Sequence, residues 1–117
     1  MMTNVFASVA VRQLDPAVEW YEHIFGPVTS RSMPEVAEWQ FPSGGGIQVY
    51  EAPEKAGCGS FTVVVSDIDQ QVVELEALGV ENPEPNRTAD LETIMIEDPD
   101  GNSIAFAHRL ADQRVEA

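Results

Sequence analysis

This sequence is short of positive charge, of cysteine and of unbroken apolar runs. Lysine and arginine number 6 against 20 aspartates and glutamates, a formal net charge of −14. A surface that negative repels phosphate backbones and anionic lipid headgroups, which argues against nucleic acid and membrane as partners. The single cysteine, Cys58, can form no disulfide within the chain, which fits a reducing, cytoplasmic setting. It sits between two glycines, with neither the base nor the electropositive setting that a nucleophile needs. No basic stretch precedes the apolar part of the N-terminus, as a signal peptide would require. No apolar run approaches the ~20 residues of a membrane span. The sequon Asn86-Arg87-Thr88 means little without secretion. Histidine is also scarce, with only His23 and His108.

What is present is an ordinary globular balance, 44% hydrophobic and 22% charged, over 117 residues. That length holds one domain with a sizeable core. The chain also repeats itself. When "VRQLDPAVEW" is set above "VSDIDQQVVE", Val11 meets Val65, Leu14 meets Ile68, Asp15 meets Asp69 and Val18 meets Val72. When "WQFPSGGGIQVY" is set above "IEDPDGNSIAFA", Pro42 meets Pro99, Gly44 meets Gly101 and Ile47 meets Ile104. Two tandem modules follow, about 4–52 and about 60–109, joined by the breaker-rich "APEKAGCG" and followed by a tail at 110–117.

Each module has the same grammar. Residues 4–12 alternate with period two and predict a strand, with Val5, Val9 and Val11 on one face. Asp15 suits an N-cap and Pro16 a first helical turn. "AVEWYEHIF" predicts a short amphipathic helix, with Ala17, Tyr21, Ile24 and Trp20 or Phe25 inward, and Gly26-Pro27 stops it. Strands are expected at 28–33, 36–41 and 46–51. The second module repeats this: a strand in "SFTVVVS", Asp69 capping "QQVVELEALG", a proline-confined edge segment in "ENPEPNRT", and strands in "ETIMIE" and "SIAFAH". The order is βαβββ, twice.

"DPDGNSIAFAH" packs two aspartates, an asparagine and a histidine together and looks chemical. Asp98-Pro99-Asp100-Gly101, however, meets the preferences of a type I turn. Its counterpart, Phe41-Pro42-Ser43-Gly44, keeps the turn-formers and drops the acids. The turn reading is therefore preferred to a catalytic pair. The glycines of "SGGG" precede a strand rather than a helix, so they are a weak signal for a phosphate cradle.

A tandem βαβββ chain carrying "VRQLDPAVEWYEHIFG", "VVVSDIDQQVVELEALGV" and "EDPDGNSIAFAH" resembles the vicinal oxygen chelate superfamily, which includes glyoxalase I, the bleomycin-resistance proteins and the extradiol dioxygenases. The resemblance spans about Val5 to Arg109. It implies an α+β fold in which the modules form a curved, cupped mixed sheet with helices on the outer face. It also implies a homodimer, and a divalent metal held from the opening and closing strand of each module. Those ligand places fall here on Phe6, Gln48, Ser60 and Ala105. Phenylalanine and alanine have no donor atom, and tight binding of such an ion takes three or four N, O or S ligands. The expectation is a member with no metal and no cofactor.

Strand parity sorts the remaining residues. Val5, Val9, Val11, Trp39, Ile47, Val49, Phe61, Val63, Val65, Ile94, Ile96, Ile104 and Phe106 form the expected core. The opposite face carries Phe6, Ser8, Glu38, Gln40, Gln48, Tyr50, Ser60, Thr62, Thr93, Met95, Glu97 and Ala105. That mixture suits a small organic molecule, cationic or aromatic, and the expected function is its metal-independent binding, as in drug or metabolite sequestration. The alternative is an enzyme of lyase, isomerase or dioxygenase type. It would use Glu38, Glu97 or Tyr50 as acid or base, or ligands not recognised in the sequence. A structural dimer with a vestigial cup is the third reading.

Overall fold

The computed structural model describes residues 1–110, so the expected tail lies, from residue 111 on, outside the described residues. The chain falls into two compact units, Met1–Phe61 with Glu97–Ser103, and Thr62–Ile96 with the chain from Ile104. Among the described residues, two α-helices and two four-stranded sheets give the α+β class.

In the first unit, β1 (Phe6–Val11), β2 (Ser30–Met33), β3 (Val36–Gln40) and β4 (Gly46–Glu51) form a sheet in the order β1-β4-β3-β2. β1 pairs with β4 in parallel, and the β2–β3 and β3–β4 pairs are antiparallel. The parallel pair requires a crossover, and α1 (Leu14–Phe25) begins it. α1 packs on β3 and β4, and the sheet buries Val9 and Val11 of β1, Ala37 and Trp39 of β3, and Ile47 and Val49 of β4. The helix contributes Leu14, Ala17, Val18 and Tyr21. Tyr21 anchors an aromatic cluster with Trp20, Phe25 and Trp39, and the Trp39 indole N–H donates to the Gly26 carbonyl at 2.9 Å.

Three expectations in this unit need correction. Val5 is 83% exposed, because β1 begins only at Phe6 and Val5 stands beyond the helix-covered part of the sheet. Ile24 is half-buried, and the inward face runs instead through Val18. Asp15 does not cap α1. The helix starts at Leu14, whose N–H donates to the Glu51 carboxylate at 3.0 Å, while Asp15 lies in the first turn and pairs with Arg31. A carboxylate from β4 therefore does the capping.

The second sheet takes the order β5-β8-β7-β6, from β5 (Ser60–Val64), β6 (Asn86–Arg87), β7 (Leu91–Glu97) and β8 (Ser103–Arg109). β6 is the edge, and Pro83 and Pro85, which cannot donate to a ladder, lie just before it. α2 (Ile68–Ala77) is capped by Asp67, which accepts from the Gln70 N–H at 3.1 Å, and not by Asp69. Asp69 is one residue inside the helix and pairs with Arg87. Arg87 also pairs with Glu92, which is buried, so edge strand, helix and β7 are tied by one guanidinium. Ile68, Leu75, Ile94, Ile96, Ile104 and Phe106 are buried, whereas Phe61, Val63 and Val65, also expected in the core, are only half-buried.

The turn reading of "DPDG" holds. The Gly101 N–H donates to the Asp98 carbonyl and the Asp98 N–H to the Asn102 carbonyl. Gly44 to Phe41 and Phe41 to Gly45 make the same two bonds in the first module. The backbone repeat is thus exact at this turn although the side chains differ.

Candidate functional site

The side chains of "DPDGN" turn inward and make structure. Asp98 is 4% exposed and Asn102 fully buried. One Asp98 oxygen accepts from the N–H groups of Asp100 and Asn102, both at 2.9 Å. The other accepts from the Tyr21 hydroxyl and the Asn102 amide, both at 2.8 Å. Asn102 also donates to the Ala10 carbonyl and accepts from the Gly59 N–H, both at 2.9 Å. Helix, first strand and linker are pinned to one turn. Burial, and then the hydrogen bond and charge of Asp98, push the Tyr21 hydroxyl pKa far above its ordinary value of 10.0. Sequence gave no signal for this knot, since its partners lie far apart along the chain.

The open face of the first sheet is the candidate site. Alternation turns Phe6, Ser8, Glu38, Gln40, Gln48 and Tyr50 away from the buried set, and strand register aligns them. Ser8 lies beside Gln48, and Gln48 beside Glu38, in one row across β1, β4 and β3. The row is hydrogen-bonded throughout. Ser8 Oγ donates to Gln48 Oε1 at 3.1 Å, and Gln48 Nε2 donates to Glu38 Oε1 at 2.9 Å. Gln40 Nε2 donates to the second Glu38 oxygen at 3.0 Å. The Gln48 bond, then the Gln40 bond, hold the Glu38 carboxyl below its ordinary pKa against a smaller opposing effect of burial. Glu38 is therefore an anion at neutral pH.

Aromatic side chains flank this row. Phe6 pairs with Gly46 and Tyr50 with Ala10 and Val36. Gly46 and Tyr50 are four residues apart on β4, or about 13 Å along an extended strand. A Cβ at Gly46 would stand 2.9 Å from the Phe6 ring and 2.0 Å from the Trp39 carbonyl oxygen. Only glycine fits there, and its bare backbone lets the Phe6 ring lie across it. Ala10, which alternation over residues 4–12 already puts with Phe6 and Ser8, shares this face with Val36 and Ser30; those two were overlooked in the sequence, although Val36 has the parity of the chosen residues and Ser30 pairs with Glu38.

The other expected site residues belong to the second sheet. Ser60, Thr62, Met95 and Glu97 are exposed, and Thr93 and Ala105 half-buried, on β5, β7 and β8. Among the described residues no side-chain hydrogen bond links them. His23 is exposed on α1, and the His108 Nδ1 lies 3.1 Å from the Val65 carbonyl oxygen. A separate depression of about 300 Å³ is lined by Arg12, Gln13, Pro16, Ala17, Pro99 and Asp100, with Arg12 paired to Asp100 at 2.8 Å. It contains none of the expected site residues.

Residues 4–106 match the profile of the glyoxalase/bleomycin resistance protein/dioxygenase superfamily. The chain belongs to that superfamily. The glyoxalase/bleomycin resistance protein of Catenulispora acidiphila is similar at 32% identity, with a TM-score of 0.81 over 92% of this chain and 98% of that one. The bleomycin resistance determinant encoded on transposon Tn5 shares the fold at 14% identity and TM-score 0.77, over 94% and 100% of the two chains. Lactoylglutathione lyase from Agrobacterium tumefaciens does so at 18% identity and TM-score 0.73, over 91% and 92%. A search of the curated proteins gave no match.

The superfamily's metal does not fit the side chains at the places the resemblance assigns to its ligands. Phe6 and Ala105 carry no donor, and the Gln48 oxygen is engaged by Ser8. No three His, Cys, Asp or Glu side chains are gathered for a metal among the described residues. No helix among them is long and apolar enough to cross a membrane.

Proposed function

We propose that this superfamily member binds a small organic molecule on the open face of its first sheet, through protein side chains alone. The observation that carries this reading is the interlocked Ser8–Gln48–Glu38–Gln40 row between Phe6 and Tyr50. Its polar groups are held in fixed directions before any ligand arrives, which lowers the entropy lost on binding. The aromatic side chains supply apolar area on both sides. Glu38, stabilised as an anion, suits ion pairing better than proton transfer, for which a pKa near the working pH is best. Sequestration therefore fits the site better than acid–base catalysis. We also propose a homodimer and a cytoplasmic location. Exposed Leu91, Val64 and Met95 on the second sheet favour self-association, and light scattering tests it.

An NMR screen of aromatic fragments against the full chain tests the binding reading. Binding should shift the backbone amides of β1, β3 and β4. Hits that cluster only at the Arg12–Asp100 depression, or on the second sheet, would displace the site and with it this reading.

A further inference from the structure

We infer that the group recognised on this face is a planar organic cation bearing N–H donors, of the amidinium or guanidinium class, attached to an aromatic or apolar body. The inference rests on the binding reading above and adds the charge and hydrogen-bonding sense of the ligand.

It follows from the directions of the bonds. Ser8 spends its only hydrogen on Gln48 and has only lone pairs left to offer. Gln48 and Gln40 each spend an amide hydrogen on Glu38. Every bond in the row runs toward the carboxylate, so the row ends at an acceptor. A carboxylate has about four lone-pair positions, and two are taken here. Both oxygens therefore keep acceptor capacity, and they lie in one plane that a bidentate N–H fork can match. The remaining neighbours add no positive charge: among the described residues the face holds Phe6, Ala10, Val36, Gln40, Tyr50 and Ser30, and no lysine or arginine. An anion would meet Glu38 uncompensated in a chain of net charge −14. A quaternary ammonium would bring charge but no hydrogen to donate. The Phe6 ring, laid over Gly46, is placed to take the flat body beside the cation.

Three probes of nearly one shape isolate the point: benzamidine (cationic), benzamide (neutral) and benzoate (anionic). Each is titrated into the uniformly labelled full chain and followed at the amides of Ser8, Glu38 and Gln48. Benzamidine should bind at least ten-fold tighter than benzamide, and benzoate should not move these amides. Glu38→Gln should abolish the preference, with at least a ten-fold loss for benzamidine and little change for benzamide. If benzamide and benzamidine bind this face equally, the cation inference falls and the binding reading stands. If benzoate binds best, the inference also falls. If no probe moves these amides at saturating concentration, both are overturned. The comparison on the unaltered chain decides the matter even if Glu38→Gln does not fold.

Discussion

Replacing Asn102 by alanine tests the buried knot of the first unit. The change deletes three side-chain hydrogen bonds: one to the Asp98 carboxylate, one to the Ala10 carbonyl and one from the Gly59 N–H. A bond to a charged group contributes about 1.5–3 kcal/mol, and a neutral bond about 1. Ala10 and Asp98 are buried, so the groups left behind are poorly served by water. The expected destabilisation is roughly 4 kcal/mol, a large share of the ~5–15 kcal/mol that holds a domain together. Urea unfolding, followed by tryptophan fluorescence, measures it as a lower midpoint at unchanged slope. Asn102→Asp separates bonding from shape. It is nearly isosteric, yet sets a second carboxylate 2.8 Å from Asp98 where a donor stood. It should be at least as damaging as alanine at pH 7. A loss below about 1 kcal/mol for Asn102→Ala, or a well-tolerated aspartate, would refute the account of the knot.

Three further outcomes follow. Tyr21 has a raised pKa when folded, so its contribution is present below the ordinary tyrosine value and is lost as pH rises past it. Tyr21→Phe should thus flatten the decline in stability above about pH 10 in alkaline denaturation curves. Glu38 has a lowered pKa, so its contribution is present above the ordinary glutamate value and fades as pH falls through the folded value. Gln48→Ala should be destabilising at neutral pH, and its cost should shrink as the pH falls below the ordinary glutamate range, as read by thermal melts across that range. Asp67→Ala should remove about 1 kcal/mol through the lost cap on α2, and a smaller loss than for Asp69→Ala in matched urea curves would restore the rejected cap.

Much of this fold was legible because period-two alternation and turn chemistry are local. Strand positions, the edge status of the proline-rich segment and the turn at Asp98 all follow from residues within a few places of one another. The caps were not legible for the opposite reason. Glu51 reaches the start of α1 from another strand, and between Asp67 and Asp69 only the backbone decides which is outside the helix. Parity marked Ser8, Gln48 and Glu38 as sharing a face, but their contact depends on register, which pairs residues far apart in sequence. The knot at Asn102 joins residues as distant as Ala10 and needs the assembled unit.

The two copies of the proline turn differ in how freely they can be altered. Around Ser43 the backbone bonds stand without a buried side-chain anchor, and the turn is exposed. Around Asp100 the same bonds are bolted to a helix and a strand. An affinity tag or reporter peptide spliced after Ser43 should leave a folded protein, whereas the same splice after Asp100 should not, which makes the first loop the natural handle for immobilising this chain.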